Sequence, residues 1–343
     1  MGGAATSTDG TPPALALLQQ ALSFWISRAI CVVARLGIAD LLKDGPLDTE
    51  TLAAATGVHA PSLYRVLRTL ASVGIFAEGE DGRFGLTPQA EPLQSDAPDS
   101  IRHYILLVGE EWYSGPSDHL LHSVRTGQPA FERVHGADFF TFLARDPAAA
   151  AVFDAAMTSR SAQENDAIAA ACDFSGLGTI IDVGGGHGSL LAAILRENPG
   201  LRGVLFDRPQ AVAEARHQLE AAGLGGRCEV VAGDFFVSVP AGGDAYILKR
   251  VIHDWDDERA GAILRNCHRA MPEHGRLLVI ELVLPPGNDP SLGKLFDLLM
   301  LVDLGGRERT EADYRTLLAG AGFELTAVIP TPSLVSVVEG VPR

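Results

Sequence analysis

An α/β fold, with a mainly parallel sheet covered by helices on both faces and a mostly helical domain ahead of it, follows from three observations on this 343-residue sequence. From Thr179 onward, short β-branched runs alternate with helical patterns, the order that produces parallel strands. The first run, Thr179–Val183, feeds a loop carrying Gly184, Gly185, Gly186 and Gly188, and a helical apolar pattern begins at Leu190. Before residue 170 the apolar spacing is helical almost throughout, apart from one short hairpin.

Bulk properties narrow the partners. A formal net charge of −16 argues against nucleic acid and anionic membranes, both of which need a basic face. Cys31, Cys172, Cys228 and Cys267 are scattered and form no CxxC pair, which suits reduced thiols better than a disulfide framework or a zinc site. No Lys or Arg precedes Arg28, so the charged start of a signal peptide is missing. Gln19, Gln20 and Ser23 make the uncharged stretch before Arg28 too polar to span a bilayer. The expectation is a cytoplasmic protein.

Taken in order, residues 1–13 are Gly-, Ser-, Thr- and Pro-rich and read as a disordered tail. Residues 14–100 form the next domain. Its first helix is apolar almost all round (Leu15, Leu17, Leu18, Leu22, Trp25, Ile26), which predicts burial by more than its own domain and so a homodimer through interlocked helices. Thr49 begins a short helix that Gly57 stops, and Pro61 opens another whose Leu63, Val66, Leu67 and Leu70 make one stripe. Gly79-Glu80-Asp81-Gly82 turns a hairpin between two short strands. Helix, turn, helix and hairpin outline a winged helix. Between Leu52 and Ala90, however, three arginines face three acids, too few positive charges for phosphate contacts, so the module reads as a dimerisation and substrate-lid element.

Residues 101–170 read as a helical linker rich in aromatics, including Trp112, Phe131, Phe140 and Phe153, suited to a core and to the wall of a pocket for a flat apolar ligand. His119 and His122 fall at i, i+3 on a predicted helix, but no third ligand follows at metal-site spacing, so they read as a packed or solvated pair. From residue 171 onward the expected strands are Thr179–Val183, Gly203–Asp207, Cys228–Ala232, Asp244–Lys249 and Gly275–Leu282. A hairpin around Pro330-Thr331-Pro332 is expected to add an antiparallel strand.

Ligands of such sheets bind at the carboxyl ends of the strands. The polar residues there are Asp182, Asp207, Asp234 and Lys249. Asp207 ends the second strand, where a carboxylate takes both ribose hydroxyls, while Asp234-Phe235 offers an acceptor for an exocyclic amine beside an aromatic face for adenine. Any one of these acids is explained as a loop cap; three at successive strand ends beside a glycine loop point to a nucleotide-like cofactor. The spacing is G-x-G-x-G (Gly184, Gly186, Gly188), not the dinucleotide G-x-G-x-x-G, whose third glycine falls on Ser189 or Leu191. The Lys-Ser/Thr of a phosphate loop is missing as well. An acidic lining fits a cofactor with no pyrophosphate and a positive sulfonium or ammonium group, a description S-adenosylmethionine meets.

Lys249-Arg250-Val251-Ile252-His253-Asp254-Trp255 follows the fourth strand. Asp254, Asp256, Asp257 and Glu258 crowd the start of the next helix, where the helix dipole favours carboxylates without any metal. His253, near a strand end on the cofactor side, has the intrinsic pKa that suits proton abstraction from a hydroxyl.

Five ordered motifs run through the chain: DVGGGHG (Asp182–Gly188), FDRP (Phe206–Pro209), GDFF (Gly233–Phe236), LKRVIHDWDDE (Leu248–Glu258) and GGRERT (Gly305–Thr310). With them, residues from about Leu15 to Glu339 resemble the S-adenosylmethionine-dependent small-molecule O-methyltransferases, the family of plant caffeate- and acetylserotonin-type and bacterial antibiotic-tailoring enzymes. The resemblance implies a Rossmann-like class I methyltransferase sheet over residues 171–343. It gives Gly184 and Gly186 to the methionine part of the cofactor, Asp207 to the ribose, Asp234 and Phe235 to the adenine and Lys249 to the adenosine side. Arg160 or Ser161 would add a contact from the preceding helix. His253 matches the family's general base, Glu281 and Glu308 the carboxylates that orient it, and Asp254 a residue beside the reacting hydroxyl. Met157, Phe296, Met300 and Asp303 lie where the family builds its acceptor pocket, whereas Arg250 stands where plant relatives often have a large apolar residue. The implied reaction is transfer of a methyl group to a phenolic hydroxyl of an aromatic or polyketide-like molecule, leaving S-adenosylhomocysteine, with no metal. Two other readings stay open here. A non-methylating cofactor-binding relative would have lost the base, and a winged-helix regulator would need more positive charge.

Overall fold

The structure is a computed structural model that describes residues 11–343, so most of the tail expected at 1–13 lies outside the described residues. Two compact units result: Met1–Ser114 with Ala151–Ser159, and Gly115–Ala150 with Arg160–Arg343. The stretch 101–170, one region in the sequence reading, is divided between them.

In the first unit, Asp48 caps the helix Thr49–Thr56 by accepting from the Thr51 N–H at 2.7 Å, and Gly57, at φ 70°, closes it in a left-handed turn. Leu63, Leu67 and Leu70 of the helix Ala60–Ala71 are buried with Ile38, Leu52 and Phe84, while Val66 is half-buried. Strands β1 (Phe76–Glu78) and β2 (Phe84–Leu86) pair antiparallel, and Leu47 bridges Phe84 beside them. The winged-helix outline is therefore present.

The N-terminal helices correct one expectation. Pro13–Leu36 is a 24-residue helical run of mean hydropathy 1.4, long and apolar enough by length and composition to cross a membrane. Gln19, Gln20 and Ser23 are simply diluted by the apolar residues around them. Its second half is nevertheless a core helix of this unit: Cys31, Val33 and Ala34 are buried, Arg28 donates to Ser114 Oγ at 3.1 Å, and Arg35 pairs with Glu110 at 2.6 Å. Within Pro13–Leu22, by contrast, no residue is buried, and Leu17 and the nearby Trp25 are 68% and 63% exposed.

The second unit is built on a seven-stranded sheet in the order β10-β11-β7-β6-β3-β4-β5. Here β3 is Thr179–Val183, β4 Arg202–Asp207, β5 Cys228–Ala232, β6 Ala245–Lys249, β7 Arg276–Glu281, β10 Phe323–Pro330 and β11 Ser336–Pro342. Strands β3 to β7 are parallel. The tail hairpin adds two strands rather than one: β11 runs antiparallel to β7 with Val338 opposite Val279, and β10 pairs antiparallel outside it. Both fit because β10 buries Phe323 and Leu325 while β11 buries Val337 and Val338. Period-two alternation divides the strand residues between two cores. Ile181, Leu248 and Val279 pack with Ile263, Leu264 and Leu318 of helices Asp257–Ala270 and Glu311–Gly320. Ile180, Ile247 and Ile280 pack with Leu191, Ile194 and Leu219 of helices Ser189–Glu197 and Pro209–Ala221 on the other face. A parallel pair, β8 (Val283–Leu284) and β9 (Arg309–Thr310), lies beyond β7 and brings the segment before Arg309 back beside the end of β7.

His119 and His122 do not share one regular helix. His119 ends the 3₁₀ turn Gly115–His119, and His122 lies inside the helix Leu120–Thr126. Leu248, fully buried in β6 one residue before Lys249, ties the loop that carries His253 to the sheet. Leu248→Ala is expected to cost about 2–5 kcal/mol of unfolding free energy, read as a lower denaturant midpoint at unchanged slope.

Candidate active site

The glycine loop leaves the sheet between β4 and β6, the neighbours of β3, where successive connections go to opposite sides. Such a switch point opens a crevice beyond the strand ends. Gly186, at φ 56°, has open space where a Cβ would project, so a ligand can lie against its backbone. Its N–H donates to Asp207 Oδ2 at 2.8 Å, and Asp207 Oδ1 accepts from the Arg208 N–H. Each of these oxygens keeps a second lone pair. Asp182, 1% exposed, has both carboxylate oxygens buried without a hydrogen-bond partner among the described residues. Burial, then the nearby Asp207, pushes its carboxyl up to about 7, with Lys249 pulling the other way. Asp234 accepts from the Phe236 N–H, and Phe235 packs edge-on against Trp255. Three acids at adjacent strand ends, one of them without a partner, together with a bare glycine backbone, fit a cationic, pyrophosphate-free nucleoside cofactor.

Lys249 donates to Asn165 Oδ1 at 2.9 Å and pairs with Glu164 at 3.2 Å. Arg250 also holds Glu164, at 2.7 Å, and Arg160 lies 3.8 Å from it with its guanidinium 4.2 Å from the Phe296 ring centroid. Burial would raise the Glu164 carboxyl, but Arg250, Lys249 and Arg160 outweigh it and hold the group below the ordinary range. Ser161, on the same helix Pro147–Ala171, is half-buried.

His253 sits in the 3₁₀ turn Ile252–Asp254 and is 7% exposed. Its Nδ1 lies 2.8 Å from Glu308 Oε1 and 3.6 Å from Glu281 Oε2, and its Nε2 lies 3.3 Å from Asp254 Oδ1. An ionised carboxylate only accepts, which assigns the Nδ1 proton as donor to Glu308. Burial alone would lower the imidazole pKa, yet Glu281, Asp254 and Glu308 outweigh it and push it up to about 9. Burial lifts Asp254 to about 7 against the pull of His253. Glu281, fully buried, accepts through Oε1 from the N–H groups of Val251 and Ile252 at 3.0 Å and of His253 at 3.4 Å, so it shapes the loop that carries His253. Burial raises its carboxyl as well.

Among the described residues, His253, Glu281 and Glu308 also form the one cluster whose ligand atoms, all within 4.8 Å of one another, have the make-up of a metal site. The Nδ1 to Glu308 separation of 2.8 Å is that of a hydrogen bond. Two ligands at about 2.0–2.2 Å from a tetrahedral metal would stand roughly 3.3 Å apart.

Two features of GGRERT assemble this cluster. Gly306 passes so close that an added Cβ would lie 2.0 Å from the His253 carbonyl oxygen, and the next N–H, of Arg307, donates to that oxygen at 2.8 Å. Arg309, fully buried, binds Asp257 Oδ1 through Nε and Nη2 at 3.0 and 2.8 Å and also donates to the carbonyls of Ile252 and Trp255. The acids after His253 therefore part ways, which the helix-start reading did not foresee. Asp256 caps the helix Asp257–Ala270, Asp257 anchors Arg309, and Asp254 turns inward to the imidazole. Sequence reasoning also assigned no role to Glu164, Asn165, Arg250 or Arg309. The available signal was one lysine and two arginines in buried motifs, Lys249, Arg250 and Arg309, each in need of a counter-charge.

Phe296, Met300 and Asp303 share one face of the helix Leu292–Asp303 at i, i+4 and i+7, while Asp297 on another face accepts from the Glu308 N–H at 2.8 Å. Asp303 is 2% exposed, and burial alone pushes its carboxyl up to about 8. Met157 lies in the first unit and is half-buried there.

A glycine loop at the switch point, acids at three strand ends and a buried histidine between carboxylates define a class I methyltransferase. A family model for the O-methyltransferase domain matches residues 117–324, and one for the O-methyltransferase dimerisation domain matches residues 18–96. The chain belongs to this O-methyltransferase family and is an S-adenosylmethionine-dependent methyltransferase. It is 51% identical over 326 residues to the phenazine O-methyltransferase PhzM of Lysobacter antibioticus, covering 95% of each chain. It is 34% identical over 316 residues to the phenazine-1-carboxylate N-methyltransferase of Pseudomonas aeruginosa, covering 92% of this chain and 93% of the other. Among solved structures, the O-methyltransferase NcsB1 from neocarzinostatin biosynthesis, in complex with S-adenosylmethionine and 2-hydroxy-5-methyl naphthoic acid, matches with TM-score 0.81 at 37% identity, over 95% of this chain and 98% of that one.

Glu308→Gln keeps an acceptor for the Nδ1 proton but removes its charge. The midpoint of His253 in an NMR pH titration is expected to fall by about 1–3 units; an unchanged midpoint would detach Glu308 from the imidazole.

Proposed function

We propose that this enzyme methylates a phenolic hydroxyl of an aromatic, natural-product-like small molecule, with His253 as general base, and that it works as a cytoplasmic homodimer. The observation that carries the reading is the carboxylate-flanked imidazole, with Glu308 at 2.8 Å and a pKa pushed up to about 9. A phenol ionises near pH 10, so proton transfer to such an imidazole is nearly balanced, whereas an ordinary histidine, near 6.5, falls more than three units short. A carboxylate acceptor would need no base at all.

S-Adenosylmethionine, when bound, supplies an electrophilic methyl group on a sulfonium. The residues proposed to hold it are Asp182, Gly184, Gly186, Asp207, Asp234, Phe235 and Lys249, with Arg160 and Ser161 from the preceding helix. Gly184 and Gly186 let the backbone approach the methionine portion, Asp207 accepts from the ribose, and Asp234 with Phe235 frames the adenine. Phe296, Met300 and Asp303 are assigned to the acceptor. His253 takes the hydroxyl proton on Nε2 while Glu308 holds Nδ1–H and so fixes the tautomer. Glu281 braces the loop, and Asp254 stands beside the reacting oxygen. The raised basicity has a cost: at pH 7 the neutral imidazole is the minor form, disfavoured by about 2–3 kcal/mol. Activity therefore rises with pH, because the reactive form accumulates as pH approaches the imidazole pKa from below.

The likeness to a phenazine-1-carboxylate N-methyltransferase favours a second reading in which the acceptor is a ring nitrogen. A nitrogen lone pair needs no base, so substitution of His253 separates the two.

His253→Ala is expected to lower kcat on a phenol about 10²–10⁴-fold while affinity for S-adenosylhomocysteine stays the same, as read by calorimetry. In the unmodified enzyme, kcat/KM should climb to a midpoint near pH 9. A mutant fully active on a phenol would remove the base role. The exposed apolar residues of the N-terminal helices, together with the dimerisation domain matched there, support self-association. Replacing both Leu17 and Trp25 with Ser should shift the mass at micromolar concentration from dimer to monomer; a wild-type chain that is already monomeric would refute the assembly.

A further inference from the structure

Arg250 is the only non-glycine residue with positive φ among the described residues, at 57°. A residue with a Cβ at that angle is strained, a cost a glycine would avoid. Its backbone N–H donates to the Ile280 carbonyl at 3.1 Å, beside Glu281, whose Oε1 accepts from the next two N–H groups. Its side chain reaches the other way, to Glu164, at 2.7 Å through Nη2. Nε and Nη1 of Arg250 are buried with no hydrogen-bond partner among the described residues, and the same is true of Glu281 Oε2 and Glu308 Oε2. Arg250 thus keeps two spare buried donors, and the two glutamates whose charges act on it keep spare buried acceptors.

We propose that Arg250 is a positioning residue that sets the basicity of His253, as the mobile share of positive charge divided between Glu164 and the Glu281–Glu308 pair. This deepens the reading of His253 as base and rests on it only for its catalytic consequence. The charged and titratable groups around the imidazole are Asp254 in its own turn, Glu281 at the end of β7, Glu308 with Arg309 at β9, and Tyr314 on the helix Glu311–Gly320; Asp297 backs Glu308. Arg250 and Arg309 are the cations of this group, and Arg309 is committed to Asp257 and three carbonyls. Arg250 is left to offset the glutamates, and the interactions run both ways: Glu281 and Glu308 raise its pKa while it lowers those of Glu281 and Asp254. Glu164 then acts as a competitor. It holds Arg250 on the side of Lys249 and Arg160, so the charge at the base is linked to the cluster proposed to hold the cofactor.

The test is the NMR midpoint of His253 in the full chain saturated with S-adenosylhomocysteine. Arg250→Met should raise the midpoint by about 1 unit, Arg250→Lys should restore most of it, and Glu164→Gln should lower it. A purely structural role predicts neither the opposite signs nor the rescue. An unmoved midpoint in a folded Arg250→Met protein overturns the proposal. Should that variant fail to fold, a Glu164→Gln midpoint that does not fall does the same. The pH dependence of kcat/KM on a phenol is recorded in parallel. If the NMR midpoint moves and the rate profile does not follow, Arg250 tunes His253 as proposed and it is the base assignment that fails.

Discussion

One imidazole held among three carboxylates is the constraint on which the rest of the catalytic unit depends. His253 has Glu308 and Glu281 at Nδ1 and Asp254 at Nε2, all in a region with almost no solvent. Taking ionised groups out of water costs several kcal/mol each unless they are paired and hydrogen-bonded. Burial, and then the repulsion of like charges so close, pushes Glu281 and Asp254 towards their neutral forms. The cluster is affordable only because neighbouring elements supply donors and counter-charges at fixed points. Three backbone N–H groups of residues 251–253 serve Glu281, and the imidazolium serves Glu308.

Those fixed points come from strand register. The β8–β9 pair places Arg309 opposite Val283, two residues beyond Glu281, and so delivers Glu308 to the imidazole. Gly306 allows the approaching backbone to touch the His253 carbonyl, and Arg309 ties together Asp257, Ile252 and Trp255. Contacts of this kind fix the orientation of His253 and its carboxylates before anything binds.

The cofactor side follows a different logic. Asp182, Asp207 and Asp234 lie at or just past the ends of adjacent parallel strands but are staggered along them: Asp182 pairs with Leu205, Asp207 with Ala232, and Asp234 follows β5 by two residues. Arg160, Lys249 and Arg250 gather around Glu164 and leave that cluster with an excess of positive charge, opposite in sign to the acids of the strand ends.

Sequence alone determined the strands of the parallel sheet, the glycine loop and the winged-helix outline, because period-two and period-3.6 patterns and glycine spacing are local properties; Glu281 and Glu308 were singled out only through the family resemblance. The sequence could also exclude a dinucleotide, since that depends on one missing glycine. Tertiary structure alone decided what Asp254, Asp257, Arg250, Arg309 and Glu164 do. Beside a helix start, any acid reads as a cap; which of them caps, anchors an arginine or turns to the imidazole depends on segments about 50 residues away in the chain. The tail hairpin shows the same limit, since its turn is local but its place beside β7 is not. Charge pairing across such distances leaves no periodic trace in a sequence, because it is a property of register and burial.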